Sequence, residues 1–207
     1  GKIVATLIHA VCHPVHEMCS KYVSPDFPGE TCLALEENKA NGLCLFFNGA
    51  CGDINPPTVS EGFVQAQMHG KAIADRVKKM KWDNVNSEPM SLVQSAISFR
   101  IRENAGIVSD KEGIYRIIIL SLGETAMVFL SGENFTDTAF AIEKDSPFKT
   151  TIVIGYAENY VGYVPPRRVF EEGGYETGPG KWSYLEVDAE ERVVDRTTEM
   201  LAQLYTF

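Results

Sequence analysis

The chain has 207 residues, 44% of them hydrophobic and 23% charged, with a formal net charge of −9 and a pI near 5.0. That composition supports one sizeable core and excludes disordered and fibrous classes. The acidity argues against non-specific nucleic-acid binding, and no apolar run approaches the roughly 18 to 20 residues of a transmembrane segment.

Ile3 to Val11 is a nearly continuous apolar run that reads as a buried strand, followed by a Pro-rich loop through Pro28. A helix is expected over 30–39, closed by Asn41-Gly42, then a short buried strand over 43–47 that enters a Gly-rich loop from Asn48 to Pro57. Phe63 to Met80 repeats at helical spacing, with Phe63, Ala66, Ile73, Ala74 and Val77 on one face. Lys78, Lys79 and Lys81 end that segment, where cations complement the helix dipole.

Residues 90–102 alternate like a strand with one exposed face. The β-branched runs 115–122 and 125–130 flank Gly123-Glu124, the pattern of a hairpin whose second strand delivers Ser131-Gly132-Glu133. A helix over 135–144, a strand over 150–154, a Gly- and Pro-rich segment over 165–182 and an amphipathic helix over 187–204, starting at Asp188, follow. No repeat or linker is visible, so the expectation is a single domain of α/β or α+β class, a layered mixed β-sheet with covering helices.

Five cysteines, Cys12, Cys19, Cys32, Cys44 and Cys51, form no CxxC pair, which excludes metal-ribbon and thioredoxin-type chemistry and leaves most of them as small core residues. The polar clusters stand at strand ends, where loops converge and sites are built. His13 and His16 are separated by Pro14 and follow a strand, so a helical HExxH zinc site is not available to them. His13 is then either a site residue or a loop histidine bonded to backbone. His9, within a strand, and His69, beside Gly70, read as structural. Glu133, directly after a buried strand and a glycine, is either a site carboxylate or one that favours the N-terminus of the next helix. Gly49 to Pro56 can form an anion-binding nest, or a tight loop held by Asp53, and lacks the Lys and Ser/Thr of a phosphate loop.

The order of these clusters resembles the later part of the catalytic domain of the neutral/alkaline, non-lysosomal ceramidases, over nearly the whole length. His13-Pro14-Val15 resembles that family's HPV, and Ser24 to Gly29 its S-D-x-x-G stretch. Gly52-Asp53-Ile54-Asn55-Pro56 is similar to GDVSP, Gly132-Glu133 to the GE element, and Asn159-Tyr160 with Tyr163 to N-x-Y-x-x-Y. Glu171 to Glu176 resembles the EEY…YE segment.

The resemblance implies a zinc-dependent amidase that cleaves the N-acyl bond of a sphingoid lipid or a related amide. It implies His13, Glu133 and Tyr160 as zinc ligands, with Tyr163 the alternative tyrosine. In a zinc-water mechanism Asp53 or Asp26 would carry the proton and Asn55 would polarise the carbonyl, with Gly52, Tyr163 and Tyr175 as substrate contacts. Mixed N/O ligation with an open position suits a zinc-activated water. An extracellular, periplasmic or cell-surface address would follow.

Two departures qualify it. The family's early H-x-H-x-x-S-G motif is absent, which implies an upstream segment or a second chain that completes the site, or else a catalytically incomplete, ceramidase-like binding module. Asn55 stands where the family has its catalytic serine, and an amide cannot become an alkoxide nucleophile, although it can donate to an oxyanion.

Overall fold

The computed structural model describes residues 2–103, 105–106 and 112–206. They fall into two compact units, one formed by the residues up to Asn48 with Ile54–Asn84, the other by Gly49–Asp53 with the residues from Val85 onward.

In the first unit β1 (Ala5–Ala10) and β2 (Leu43–Asn48) pair in parallel, with Ala5 opposite Leu43 and Ala10 opposite Asn48. Parallel neighbours need a crossover, and α1 (Asp26–Glu36) lies in it. The helix begins at Asp26 rather than at Glu30, because Pro28 falls in its first turn, where a missing N–H breaks no helical bond. Ile8, Leu35, Cys44 and, from α2 (Phe63–Val77), Ala74 and Val77 form the core of this unit. Helices α1 and α2 approach closely at Gly70. A Cβ there would lie 2.5 Å from that of Glu30 and 2.8 Å from the Phe27 carbonyl oxygen, so the absence of a side chain sets the helix separation.

The second unit contains β3 (Met90–Arg100), β4 (Glu112–Leu122), β5 (Thr125–Leu130), the two-residue β6 (Glu133–Asn134), α3 (Thr136–Asp145) and β7 (Thr150–Ile154). After these come β8 (Tyr163–Val164), α4 (Arg167–Glu172) and α5 (Ala189–Tyr205). Its main sheet has the order β3-β4-β5-β7, antiparallel from β3 to β5 and parallel between β5 and β7. The expected hairpin is present: Leu122 faces Thr125 across a two-residue turn in which Gly123 supplies φ of 55°. Alternate residues of β4, among them Tyr115, Ile117 and Ile119, face the core with Val128, Leu130 and Val153. Helix α5 closes that core with Ala189, Val193, Met200, Leu201 and Leu204, a stripe at helical spacing.

The layered mixed sheet with covering helices agrees with the class read from the sequence. Within the Gly- and Pro-rich segment 165–182, α4 follows Pro166 and stops at Gly173, where φ is 79°. Cys44 and Cys51 are buried, Cys12 and Cys32 partly buried and Cys19 exposed. Among the described residues no helix is long and apolar enough to cross a membrane.

Candidate functional site

The best-defined polar constellation lies at the C-terminal end of β5 in the second unit. The chain leaves Leu130 through Ser131 and Gly132 and re-enters a short ladder, in which Glu133 N–H donates to Gly162 O at 2.9 Å and Glu133 is opposite Tyr163. Gly132 has φ of 70°, and a Cβ on it would stand 2.4 Å from the Gly162 carbonyl oxygen, so only glycine admits this crossing. The loop after β7 is laced onto the same edge. Tyr156 N–H donates to Gly132 O at 3.0 Å, Ala157 N–H to Leu130 O at 3.0 Å, and Asn159 Nδ2 to Ile114 O at 2.6 Å.

These constraints deliver three phenols to one carboxylate. Glu133 is buried, with 6% of its surface exposed. The Tyr160 hydroxyl donates to Glu133 Oε1 at 2.6 Å and the Tyr156 hydroxyl to Oε2 at 3.0 Å. Tyr163 also hydrogen-bonds the carboxylate. Burial first, and then the charge of Glu133 and the bonds to it, push the Tyr160 and Tyr163 phenols well above their ordinary range. The Tyr156 phenol is raised by burial and by its neighbours Cys51 and Glu133, and the Cys51 thiol donates to its oxygen at 3.5 Å. The phenols are therefore donors at neutral pH, and the site presents one carboxylate ringed by oxygen.

Tyr175 sits further out and is exposed. It packs edge-on against Tyr163 with ring centroids 5.9 Å apart and stacks on Trp182 at 5.2 Å and 2°. Beneath the carboxylate the backbone is fixed by Asn134, which is fully buried: its Oδ1 accepts the Tyr115 hydroxyl at 2.8 Å and its Nδ2 donates to Ser131 O at 3.0 Å. Gly52 N–H donates to Asn134 O at 2.8 Å, and a Cβ at Gly52 would be 2.8 Å from Glu133 O. Gly52 thus cradles the carboxylate's backbone.

Asp53 is engaged with a helix. Its Oδ1 accepts Thr136 N–H at 2.8 Å and its Oδ2 the Thr136 hydroxyl at 2.7 Å, which caps α3 from outside.

The remaining sequence candidates belong to the first unit. His13 is 9% exposed, and both its backbone N–H and its Nδ1 reach Ile54 O, at 2.9 and 3.1 Å. A carbonyl only accepts, so Nδ1 carries the proton and the lone pair of the neutral ring is on Nε2. Asp26, buried and at φ of 48°, accepts Glu17 N–H at 2.8 Å and Phe27 N–H at 2.7 Å, one on each oxygen. It fastens the loop before α1. Asn55 is exposed.

His16 does not pair with His13 but with helix α2. Its Nδ1 meets Thr58 Oγ1 at 2.9 Å and its Nε2 meets His69 Nδ1 at 3.0 Å, while His69 stacks on Phe27 at 4.1 Å. Burial and then His16 lower the His69 pKa, partly opposed by Asp26. Among the described residues no three His, Cys, Asp or Glu gather as a metal-holding group. Tyr156 was missed in the sequence; its position depends on a left-handed turn, φ 56°, that no side-chain pattern announces.

No protein-family model matches the chain and no curated protein matches it in sequence. Solved structures share its fold, two ceramidases among them. Neutral ceramidase from Pseudomonas aeruginosa aligns with a TM-score of 0.71 and 12% identity, over 95% of this chain and 44% of that one. A ceramidase complexed with C2 aligns with a TM-score of 0.71 and 12% identity, over 96% and 46% respectively. The chain therefore has a ceramidase-like fold and spans less than half the length of the ceramidases it resembles.

Proposed function

We propose that this chain carries part of the site of a zinc-dependent amide hydrolase of the ceramidase kind, acting on the N-acyl bond of a sphingoid lipid or a related amide. The observation that supports it is the buried Glu133 carboxylate taking the hydroxyls of Tyr156 and Tyr160 at the end of β5, in a fold shared with neutral ceramidase.

The donor chemistry suits the metal. A carboxylate and a phenol are oxygen ligands suited to Zn²⁺. The Nδ1 bond of His13 to Ile54 O is the outer partner that orients a ligating imidazole through Nε2. Zinc, when bound, supplies Lewis-acid polarisation of the amide carbonyl and activation of a water.

The chain's own residues have distinct tasks in this scheme. Tyr156 holds Oε2 of Glu133, which fixes the carboxylate plane while Tyr160 holds Oε1. Tyr163 borders the carboxylate, and with the exposed Tyr175 that packs on it would contact the apolar part of the substrate. Asp53 and Asp26 act as positioning residues, since the oxygens of each already accept local hydrogens. Asn55 cannot act as a nucleophile and would donate to the developing oxyanion.

The exposed Asn55 also favours a second reading, a binding module of the same fold without turnover. Hydrolysis of a short-chain N-acyl sphingosine, measured with added zinc, separates the two. Zinc-dependent release of the fatty acid that is lost in Tyr160→Phe supports the hydrolase. Absence of release together with tight binding of the amide supports the module.

A further inference from the structure

A hydrogen-bonded cluster in the first unit takes no part in the proposed zinc chemistry. The loop after β1 and the loop before α2 are stapled by two backbone bonds, Ser60 N–H to Val15 O and Gly62 N–H to His16 O, each at 2.8 Å. That staple holds the Thr58 hydroxyl 2.9 Å from His16 Nδ1. His16 Nε2 in turn lies 3.0 Å from Nδ1 of His69, on α2. Phe27 of α1, fully buried, fixes both rings: His69 stacks on it at 4.1 Å and 22°, and His16 meets it edge-on at 6.2 Å.

These bonds form a line of three groups. With the Thr58 hydroxyl donating to His16 Nδ1, His16 carries its proton on Nε2 and donates it to His69 Nδ1, so each neutral ring has one donor and one acceptor nitrogen. Burial and then His16 lower the His69 pKa against the pull of Asp26, which keeps His69 a neutral acceptor at pH 7. His16 is buried, whereas Thr58 is half-buried and lines a recess of about 280 Å³ with Pro57, Gln65, Met68 and the two histidines. A reachable hydroxyl bonded to a base that a third group orients is the arrangement of an activated nucleophile.

We propose that Thr58, His16 and His69 form an esterase site that hydrolyses small carboxylic esters through an acyl-threonine. Thr58 Oγ1 bonds to the ester carbonyl carbon while its proton passes to His16 Nδ1. The bond from that carbon to the alcohol oxygen then breaks, and His16 gives the proton to the departing alcohol. Water completes the cycle: its oxygen bonds to the acyl carbon, its proton passes to His16 and on to Thr58 Oγ1, and the carboxylic acid leaves. His69 is a positioning residue. It takes the Nε2 hydrogen of His16, which keeps the lone pair on Nδ1 and steadies the imidazolium that forms. The size of the recess suits a short acyl group rather than a long chain.

The test treats the intact chain with p-nitrophenyl acetate in the presence of a metal chelator. A burst of nitrophenolate is expected, together with an acetyl group on Thr58, located by peptide fragmentation in the native protein. Thr58→Ser should keep the burst and Thr58→Val should lose it. His69→Asn places an amide oxygen where Nδ1 stands and should keep most of the rate. His69→Phe, which retains the stack on Phe27, should lose roughly a hundredfold, the lower end of what a positioned base contributes. A role for His69 in packing alone would reverse that order and overturn its assignment. Acetyl groups confined to cysteine, lysine or histidine side chains, or a burst that Thr58→Val retains, would overturn the proposal. Acylation that requires added zinc would overturn it too, and would assign the ester chemistry to the metal.

Discussion

Asp53 caps a helix to which it does not belong: its two carboxylate oxygens take the backbone N–H and the side-chain hydroxyl of Thr136, the first residue of α3. Phe135, at the usual capping position, offers no side-chain acceptor, so this carboxylate supplies what the local sequence lacks. Asp53→Ala should lower stability by about 1 kcal/mol, the ordinary cost of losing a cap. Urea unfolding of the variant checks it. An unchanged midpoint would mean that water replaces the cap fully.

Tyr115 and Asn134 are both fully buried, and their bond of 2.8 Å secures the backbone under Glu133. Tyr115→Phe leaves Asn134 Oδ1 without that donor, at a cost of about 1 to 3 kcal/mol. Because Asn134 also ties down Ser131, the same variant should loosen the Glu133 segment, seen as faster amide exchange over 131–134.

His69 gives the stability a pH dependence with a defined sign. Its folded-state pKa lies below the ordinary 6.5, by burial and by the neighbouring His16, against the opposing pull of Asp26. The unfolded chain therefore takes up the proton first as pH falls. The neutral ring's contribution is complete above pH 6.5 and is lost as pH falls through the folded pKa. The stability advantage of the native chain over His69→Gln should shrink on going from neutral pH to pH 5, read by thermal melts across that range. An advantage that grows toward acid would contradict the assignment.

The elements visible in the sequence were those with strong periodicity. The hairpin around Gly123-Glu124, the strand 150–154 and the closing helix all appear close to where alternation and helical spacing put them. Helix α4 was hidden by surrounding glycines, and β6 and β8 are two residues each, too short for any periodicity to register. Glu133 was legible because a strand, a glycine and a carboxylate follow one another. The engagement of Asp53 with Thr136 was not, because it joins residues far apart in the chain through a loop that carries no repeating pattern. Asp26 likewise read as available chemistry, while its oxygens secure the turn into α1.

We propose the Glu133 carboxylate and its phenols as the oxygen pole of a zinc site. Equilibrium dialysis against zinc, with metal counted by plasma mass spectrometry in the native chain and in Glu133→Gln, tests it most directly. One zinc ion per native chain is expected at saturation, and its loss in a Glu133→Gln protein that retains the native fold by circular dichroism. No bound zinc in the native chain, or equal zinc in both proteins, would contradict it.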